Sequence, residues 1–375
     1  MADTGKKLFL LDGMALVYRA HFALIRNPRI ASTGMNTSAV FACTNTLLQI
    51  LGKEEPTHIA AVFDTPEPTM RHKEYPEYKA QREAMPEDLS DCLPYVFRMF
   101  EAFNIPVIKQ PGFEADDIIG TLALQADAQG FQTFMVTPDK DFAQLVSETA
   151  FMYKPGKSGS GAEVLGVPEI LESWEIENVD QVRDILGLWG DTSDNIPGVP
   201  GIGEKTSKKL VAQFGSMENL LESTHELKGK QKENLETFAD QARLSKRLVT
   251  IVRDVPLEHA VDDLVRRSPD DEALKQLFVE MEFRTLGRRM FGEDFDMTLQ
   301  RSTNDAAADA DIAVRAAADI EHTYEIVEGA EARATLIAKL LEQDAVCFDS
   351  ETTGLDSKEC EIVGFAFSFA ERTGF

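Results

Sequence analysis

The sequence predicts an α/β domain with a largely parallel sheet, followed by an all-helical module and a short third segment. Three observations support this fold class. Predicted strands alternate with helices up to about residue 137, a helical pattern dominates from about residue 178, and acidic residues recur at the ends of apolar runs. Alternation of strands and helices is typical of parallel sheets. In such sheets ligands bind beyond the carboxyl ends of the strands.

Local patterns locate the elements of the α/β domain. Short apolar runs predict strands at 6–11, 58–63 and 131–137. Helical spacing of apolar residues predicts helices at 37–52, 89–103 and 115–129. Residues 71–86 are crowded with charged and aromatic side chains, and we call them the basic segment.

The rest of the chain changes character twice. The Gly/Pro-rich sequence GVPGIGEK at 198–205 predicts a turn between two helices, which we call the hairpin. Residues 299–320 are polar, rich in Ala and Asp and without apolar periodicity, so they predict a linker. Strand patterns follow at 346–356, which ends in a turn, and at 362–369. A segment this short cannot close a core of its own.

Composition bounds the class of protein. A chain of 375 residues is expected to form two or three domains, and no apolar run approaches the roughly 18 residues that cross a bilayer. The four cysteines lack CxxC spacing, so neither zinc nor a disulfide framework is predicted and a reducing cytoplasm is expected. The net charge of −26 argues against non-specific binding of polyanions, but it leaves room for a local basic track.

The acidic residues at the ends of elements predict a metal site. They are Asp12, Asp64, Glu114, Asp116, Asp117, Asp139, Asp141, Asp191 and Asp194. Carboxylates that converge without histidine or cysteine suit hard cations such as Mg²⁺ or Mn²⁺, and paired ions of this kind commonly serve phosphodiester chemistry. Taken singly, each acid could instead cap a helix or a turn.

Basic and glycine residues predict contacts with a phosphate backbone. In the hairpin, Gly198, Gly201 and Gly203 expose amides beside Lys205, Lys208 and Lys209, and backbone carbonyls of such a turn can hold a monovalent cation such as K⁺. A dinucleotide fingerprint would need a preceding strand, and a tight helix–helix connection is the simpler alternative.

The basic segment offers a second set of candidates. Lys79 and Arg82 could neutralise a scissile phosphate, Tyr78 could stack on a base, and Arg19 follows the first strand closely enough to reach the same phosphate. A solvated loop is the alternative. Asp349 and Glu351 form a separate DxE at a strand end, with both side chains on one face of the strand.

At this point the motifs resemble a known family. LLDG at 10–13, YRAHF at 18–22, VFD at 62–64, YPEYKAQR at 75–82, EADDIIGTLA at 114–123, DKDFAQLV at 139–146 and GDTSDNIPGVPGIGEKT at 190–206 are similar to the 5′ nuclease region of bacterial DNA polymerase I, a member of the flap endonuclease family. The resemblance covers about residues 6–290. VCFDSETTGL at 346–355 resembles the first motif of the 3′–5′ exonuclease domain that follows in such proteins.

The resemblance implies a domain plan. It assigns a PIN-like (resolvase-like) catalytic domain with a helical arch to 1–175 and a helix-hairpin-helix (H3TH) module to 176–290. A linker at 291–325 and an incomplete, RNase H-like 3′–5′ exonuclease segment at 326–375 would follow. The polymerase region is missing, so DNA synthesis is not expected.

The resemblance also implies an activity. The chain is expected to remove 5′ flaps and RNA primers from DNA as a cytoplasmic monomer that uses two ions. The first ion would be held by Asp12, Asp64, Glu114, Asp116 and Asp117, and the second by Asp139, Asp141, Asp191 and Asp194. Arg19, Lys79 and Arg82 match the basic substrate contacts of the family.

Three alternatives stay open from the sequence. A toxin-like or RNA-processing PIN ribonuclease would share the clustered acids but lack the hairpin and the final motif. A non-catalytic DNA-binding scaffold would have degenerate metal sites, whereas all nine acids are present here. A sugar-phosphate phosphatase would not need a hairpin flanked by lysines.

Overall fold

A computed structural model of the chain describes residues 5–156, 161–292, 295, 323–343, 345–353, 361–370 and 373–375. The chain divides into two compact units, Met1–Leu299 and Gln300–Phe375. Most of the predicted linker at 291–325 lies outside the described residues. Within the described ranges no helix is both long and apolar enough to cross a membrane.

A six-stranded sheet forms the centre of the first unit, in the order β3-β2-β1-β4-β5-β6. All neighbours are parallel except β5 and β6, which are antiparallel. The prediction of a largely parallel sheet is therefore confirmed. The strands are β1 (Lys7–Asp12), β2 (His58–Val62), β3 (Val107–Ile108), β4 (Gln132–Val136), β5 (Ala150–Lys154) and β6 (Glu163–Leu165).

Thirteen described helices accompany this sheet, with short 3-10 helices at Lys140–Leu145, Thr224–Glu226 and Val261–Leu264. They are α1 (Gly13–Ala23), α2 (Ser38–Lys53), α3 (Met70–Glu74), α4 (Glu87–Ala102), α5 (Ala115–Ala128), α6 (Val167–Trp174), α7 (Gln181–Trp189), α8 (Glu204–Phe214), α9 (Met217–Glu222), α10 (Gly229–Thr237), α11 (Ala239–Val249), α12 (Asp271–Glu280) and α13 (Arg284–Phe291). The basic segment contains most of the short helix α3 and ends just before α4, so it crosses from one element to the next as a compact turn-rich stretch.

The central strand β1 contributes residues to two hydrophobic cores, one on each face of the sheet. Leu8 and Leu10 point into the first core and Phe9 and Leu11 into the second, as the alternation of side chains along a strand requires. All four are essentially inaccessible to solvent. Burial on both faces explains why β1 is an uninterrupted apolar run in the sequence.

The first core is continuous between the sheet and the helical module. It joins Leu8 and Ile118 of the α/β part to Leu186 of α7, Val211 of α8 and Leu248 of α11. The predicted segments 1–175 and 176–290 therefore share one apolar interior.

Helices α12 and α13 pack on the opposite face of the sheet. Leu274, Phe278 and Leu286 belong to the second core, together with Val96 and Phe100 of α4. The sequence assigned these helices to the helical module at 176–290. In the structure both helices contribute to the second core, and α12 packs directly against α4.

The second unit contains two pairs of strands and one helix among its described residues. Strand β7 (Thr323–Tyr324) pairs in parallel with β10 (Thr373–Gly374), and β8 (Cys347–Thr352) pairs in antiparallel fashion with β9 (Ile362–Ser368). Helix α14 spans Ala330–Leu341. Asp349 and Glu351 lie two apart on β8 and are exposed.

Candidate functional site

Three adjacent strands deliver acidic residues to one edge of the sheet. Asp12 is the last residue of β1, Asp64 lies two residues after β2, and Asp139 lies three residues after β4. Because β1 lies between β2 and β4 and all three are parallel, these residues meet at the carboxyl edge. This is the edge that the sequence predicted.

Helix α5 brings further acids to the same edge. The Ala115 amide donates a hydrogen bond to Asp64 Oδ1 at 2.8 Å, which ties the first turn of α5 to the end of β2. Glu114 precedes the helix as its N-cap, and Asp116 lies in the first turn. Glu114 and Asp116 thus lie at the N-terminus of a helix, where acids are favourable, and also close to the acids at the strand ends.

Four of the acids at this edge lie outside the ion pairs of the described residues. Asp12, Asp64, Asp116 and Asp139 form no ion pair with any residue that the structure describes. Asp12 is buried, Asp116 is partly exposed, and Asp64 and Asp139 are exposed. We call these four residues the unpaired set.

Burial and mutual repulsion raise pKa values within the unpaired set. Burial raises the pKa of Asp12 to about 7 against the hydrogen bonds from Ala15 and Thr137, with the charges of Asp64 and Asp139 adding to the shift. The pKa of Asp116 is raised well above its usual value by loss of solvent and then by the charges of Asp12 and Asp139. Burial and mutual repulsion therefore favour the protonated forms of Asp12 and Asp116 when no cation is bound.

The pKa of Asp12 predicts a pH dependence of stability. A carboxyl group with a raised folded-state pKa binds more protons when folded, so its contribution to stability is lost as pH rises from its ordinary pKa of 3.8 to about 7. In EDTA we expect the stability of the wild type, relative to an Asp12→Asn variant, to fall by a few kcal/mol across this window. Urea unfolding at pH 5 and pH 8 measures the difference. A constant difference, or one that grows in favour of the wild type, would contradict the prediction.

The other acids at this edge are paired with basic side chains. Lys79 Nζ lies 3.1 Å from Glu114 Oε2, and Arg82 Nη2 lies 2.5 Å from Asp194 Oδ1. Lys140 Nζ donates to Asp191 Oδ2 and lies 3.4 Å from Asp141 Oδ1. We call Asp141, Asp191 and Asp194 the paired set.

Within the paired set, Asp141 and Asp191 differ in their environments. Asp141 Oδ1 is buried and accepts no hydrogen bond from the part of the chain that the structure describes. Burial together with the charge of Asp139 raises the pKa of this residue to about 7. Burial also acts to raise the pKa of Asp191, but hydrogen bonds from Lys140 and Ser193 outweigh it and lower the value. No three of the described acidic, histidine or cysteine side chains already surround one point as ligands of a single ion.

The basic segment folds directly over these acids. Lys79 adopts a left-handed conformation with φ of 57°, and its amide donates to the Asp194 carbonyl at 2.9 Å. The Tyr78 hydroxyl lies 3.0 Å from both Glu114 Oε2 and Asp194 Oδ2. Tyr78 is only 3% exposed, so it does not present a face to a base, and its predicted stacking role is corrected to a structural one.

Asp117 has a structural role instead of the predicted metal ligation. Both of its oxygens pair with the Arg71 guanidinium at 2.8 Å, and the amides of Glu114 and Val252 donate to the same two oxygens. The side chain is 1% exposed. With four donors and no access, Asp117 is removed from the candidate ligands.

Arg19 lies at the same edge but is engaged with backbone. Its Nη2 donates to the carbonyls of Pro155 at 2.5 Å and Gly156 at 3.0 Å, just beyond the end of β5. That Arg19 reaches the phosphate bound at the acids stays a prediction. A phosphate would have to compete with these two carbonyls.

Only part of the predicted hairpin surface is accessible. Gly201, Gly203, Lys205 and Lys209 are exposed. Gly198 is buried, because its amide donates to Ser245 Oγ and its carbonyl accepts from Gln241. The Lys208 ammonium is turned inward to the Ser173 carbonyl at 2.9 Å and to Glu204 Oε1 at 2.8 Å. Gly198 and Lys208 are therefore corrected from phosphate contacts to internal supports.

Two glycines close the loop that carries Asp191 and Asp194. Gly190 has φ of 77° and ψ of −177°, a region that only glycine occupies readily. A Cβ on Gly190 would lie 2.7 Å from Gly198 N and closer still to the Ile196 carbonyl. The loop can form only because the two chain segments approach each other at Gly190 and Gly198, which have no side chains.

Replacing Gly190 with alanine is expected to destabilise the fold by about 3 kcal/mol or more, since strained backbone and a steric clash add. Urea unfolding monitored by tryptophan fluorescence measures the change, because Trp189 adjoins the loop. Gly52→Ala is the matched control: Gly52 lies in α2 with no heavy atom within 4 Å of an added Cβ. The control should be neutral or stabilised by up to about 1 kcal/mol. Equal effects at both positions would contradict the assignment.

Two residues matter here that the sequence did not single out. Arg71 anchors Asp117, and Lys140 contacts both Asp141 and Asp191. Lys140 could have been noticed, because it stands between two acids in the sequence DKD. Arg71 carries no comparable signal, since its partner is 46 residues away.

Family models match most of the chain. The 5′-3′ exonuclease N-terminal resolvase-like domain matches residues 7–175, and the 5′-3′ exonuclease C-terminal SAM fold matches residues 177–272. The second match ends where α12 begins, and α12 is the helix that the structure packs onto α4.

Curated relatives are similar over different parts of the chain. DNA polymerase I of Bacillus caldotenax is 41% identical over 288 residues, which are 76% of this chain and 32% of that protein. DNA polymerase I of Rhizobium leguminosarum is 33% identical over 431 residues, covering 98% of this chain and 42% of that protein. The chain thus spans about a third of the length of the Bacillus relative.

A solved structure shares the fold. A bacteriophage T5 flap endonuclease, crystallised with DNA and metal ions, superimposes with a TM-score of 0.53 at 20% identity. The match covers 65% of this chain and 89% of that chain.

Proposed function

Because this chain belongs to the 5′-3′ exonuclease family, we propose that it hydrolyses phosphodiester bonds in DNA close to free 5′ ends. Its substrates would be 5′ flaps, nicks and RNA-primer junctions, and it would act as a monomer. The observation that carries the proposal is the unpaired set at the carboxyl edge of the sheet, which shares that edge with Glu114 and Asp194, the partners of the basic side chains Lys79 and Arg82.

The acids fit divalent cations such as Mg²⁺ or Mn²⁺. All candidate donors are carboxylate oxygens, which are the ligands that hard cations prefer. Among the described residues no donor forms a hydrogen bond to the buried Asp141 Oδ1, and burial, with the charges of Asp64 and Asp139 adding, raises the pKa of Asp12. We assign one ion to the unpaired set with Glu114, and a second to the paired set. Asp139, which the resemblance placed with the second ion, is assigned to the first because its charge acts on Asp12 and Asp116.

Divalent ions bound there would lower the pKa of an attacking water and stabilise charge on the leaving oxygen. The chain itself needs no nucleophilic side chain for this reaction. Its acids would hold the ions beside the reacting phosphate, and the buried strand β1 fixes Asp12 against movement.

Lys79 and Arg82 would neutralise the phosphate. Both side chains contact acids of the site, so their positive charges would lie close to a phosphate bound there. Arg19 would support the same phosphate from α1 if it left the Pro155 and Gly156 carbonyls.

The hairpin would hold the duplex part of the substrate by its backbone. Gly201, Gly203, Lys205 and Lys209 are the exposed members, and contacts of this kind position DNA without reading its bases. K⁺ could bind at the turn. The carbonyls of Gly198, Val199 and Pro200 each already accept one hydrogen bond, so an ion would use their remaining lone pairs.

Cleavage of a 5′-flap duplex tests the proposal. The chain is incubated at low salt with the duplex labelled at the flap, with Mg²⁺ or with EDTA, and products are resolved at single-nucleotide length. We expect Mg²⁺-dependent cuts at the flap junction. A duplex with a 3′ flap is the matched control and should stay intact. Cleavage in EDTA, or equal cleavage of both duplexes, would contradict the proposal.

A further inference from the structure

We propose that Lys140 is a built-in counter-cation of the paired set, so that a second divalent ion binds there only by displacing the Lys140 ammonium from Asp141 and Asp191. This inference rests on the proposed function, because it assumes that the acids bind divalent ions. It adds an order of binding: the unpaired set fills first.

The contacts of Lys140 place its charge between two candidate ligands. Lys140 Nζ donates to Asp191 Oδ2 and lies 3.4 Å from Asp141 Oδ1. Asp141 and Asp191 come from different parts of the chain, the 3-10 helix Lys140–Leu145 and the loop after α7. One ammonium group thus bridges them, as a divalent ion would.

The two sets of acids differ in how much positive charge they already contact. No ion pair involves Asp12, Asp64, Asp116 or Asp139 among the described residues, so an ion can contact these four acids without displacing a side chain. Of the acids assigned to this ion, only Glu114 would exchange a basic partner, Lys79 at 3.1 Å. An ion entering between Asp141 and Asp191 must either displace Lys140 or bear its repulsion. At separations near 4 Å, unit charges interact by about 1 kcal/mol in water and several kcal/mol near a protein surface.

The local fold lets the Lys140 side chain leave without moving the backbone. The Asp141 amide is held by Asp139 Oδ1 at 2.9 Å, and the helix that follows is buried at Phe142 and Ala143. The Lys140 side chain itself is 38% exposed.

A destination for the displaced ammonium lies next to it. Lys140 lines a cavity of about 700 Å³ that Trp189, Glu163 and Glu172 also line. Its Nζ is 5.5 Å from the centre of the Trp189 ring, within the range of a cation–π contact. Aromatic and carboxylate groups there can receive the charge that leaves the paired set.

Mn²⁺ binding without DNA tests the inference. Isothermal titration calorimetry, with the number of bound ions checked by electron paramagnetic resonance, is performed on the full chain and on Lys140→Met. The wild type should bind one Mn²⁺ tightly and a second weakly. In Lys140→Met the second ion should bind at least about tenfold more tightly.

Matched variants distinguish the effect of the Lys140 bridge between Asp141 and Asp191 from the effect of removing one positive charge nearby. Lys154→Met removes the same charge from a residue that lines the same cavity but forms no ion pair in the described ranges, and it should match the wild type. Lys140→Arg keeps the charge and should keep the second ion weak. If Lys140→Met unfolds, Lys140→Gln, which also removes the charge but keeps a polar side chain, should show the same tightening of the second ion.

Three outcomes would overturn the inference. They are equal affinity for both ions in the wild type, an unchanged second ion in Lys140→Met, and equal tightening in Lys154→Met or Lys140→Arg. Failure of the proposed function has a different signature: the wild type would bind no Mn²⁺, or Asp12→Asn would leave the tight ion unaffected.

Discussion

Replacing Asp116 with asparagine should reduce cleavage of a 5′-flap duplex by at least about a hundredfold and, in EDTA, stabilise the fold by about 1 kcal/mol or more. Asp116 has no ion pair within the described chain, and its pKa is raised well above the usual value by loss of solvent and by the charges of Asp12 and Asp139. Asparagine keeps the shape of the Asp116 side chain and removes its repulsion from Asp12 and Asp139. It also removes an anionic oxygen that a divalent ion would need.

Opposite changes in activity and stability distinguish a functional acid from a structural one. Cleavage rates under single-turnover conditions and urea unfolding in EDTA measure the two quantities on the same preparation. A gel shift with the flap duplex in Ca²⁺ should show retained binding. Wild-type cleavage by Asp116→Asn, or marked destabilisation in EDTA, would remove Asp116 from the candidate metal ligands.

Replacing the next residue, Asp117, with asparagine should instead destabilise the fold by about 3–5 kcal/mol, because a buried guanidinium would lose its partner. Arg71 and Asp117 meet through two hydrogen bonds of 2.8 Å in a fully enclosed position. The loss should appear in EDTA and in Mg²⁺ alike, since the pair is internal.

A double-mutant cycle isolates the Arg71–Asp117 pair. Arg71→Met alone should be similarly destabilising, and the variant with both changes should be less destabilised than the sum of the two, with a coupling of about 1–3 kcal/mol. Strict additivity would mean that the two residues do not depend on each other. Arg71 also donates to the carbonyls of Leu248 and Thr250, so some loss should remain in the double variant.

The carboxyl edge of the sheet could be predicted because its signals are local. A short apolar run followed by an acid predicts both a strand and an acidic side chain at its carboxyl end. Asp12 is an example. The two-residue strand β3 and the three-residue strand β6 carry too little pattern to be seen, and they form because β2 and β5 offer them hydrogen-bond partners.

The roles that the sequence assigned wrongly depend on distant partners. Asp117 and Lys208 look like free charges in the sequence, yet Arg71 and the Ser173 carbonyl enclose them. Tyr78 looks like a stacking residue until Glu114 and Asp194 bind its hydroxyl. Which charged side chains face solvent is decided by tertiary contacts, and no periodicity records those.

The continuous core between the sheet and the helical module also fixes the distance between the carboxyl edge and the hairpin. Leu8 on β1 and Val211 on α8 belong to the same apolar interior, so the carboxyl edge and the exposed lysines of α8 cannot shift independently. If the hairpin grips the duplex while the acids cut, the fold would act as a ruler along the substrate. The position of the cut would then be counted from the duplex junction, whatever the base sequence.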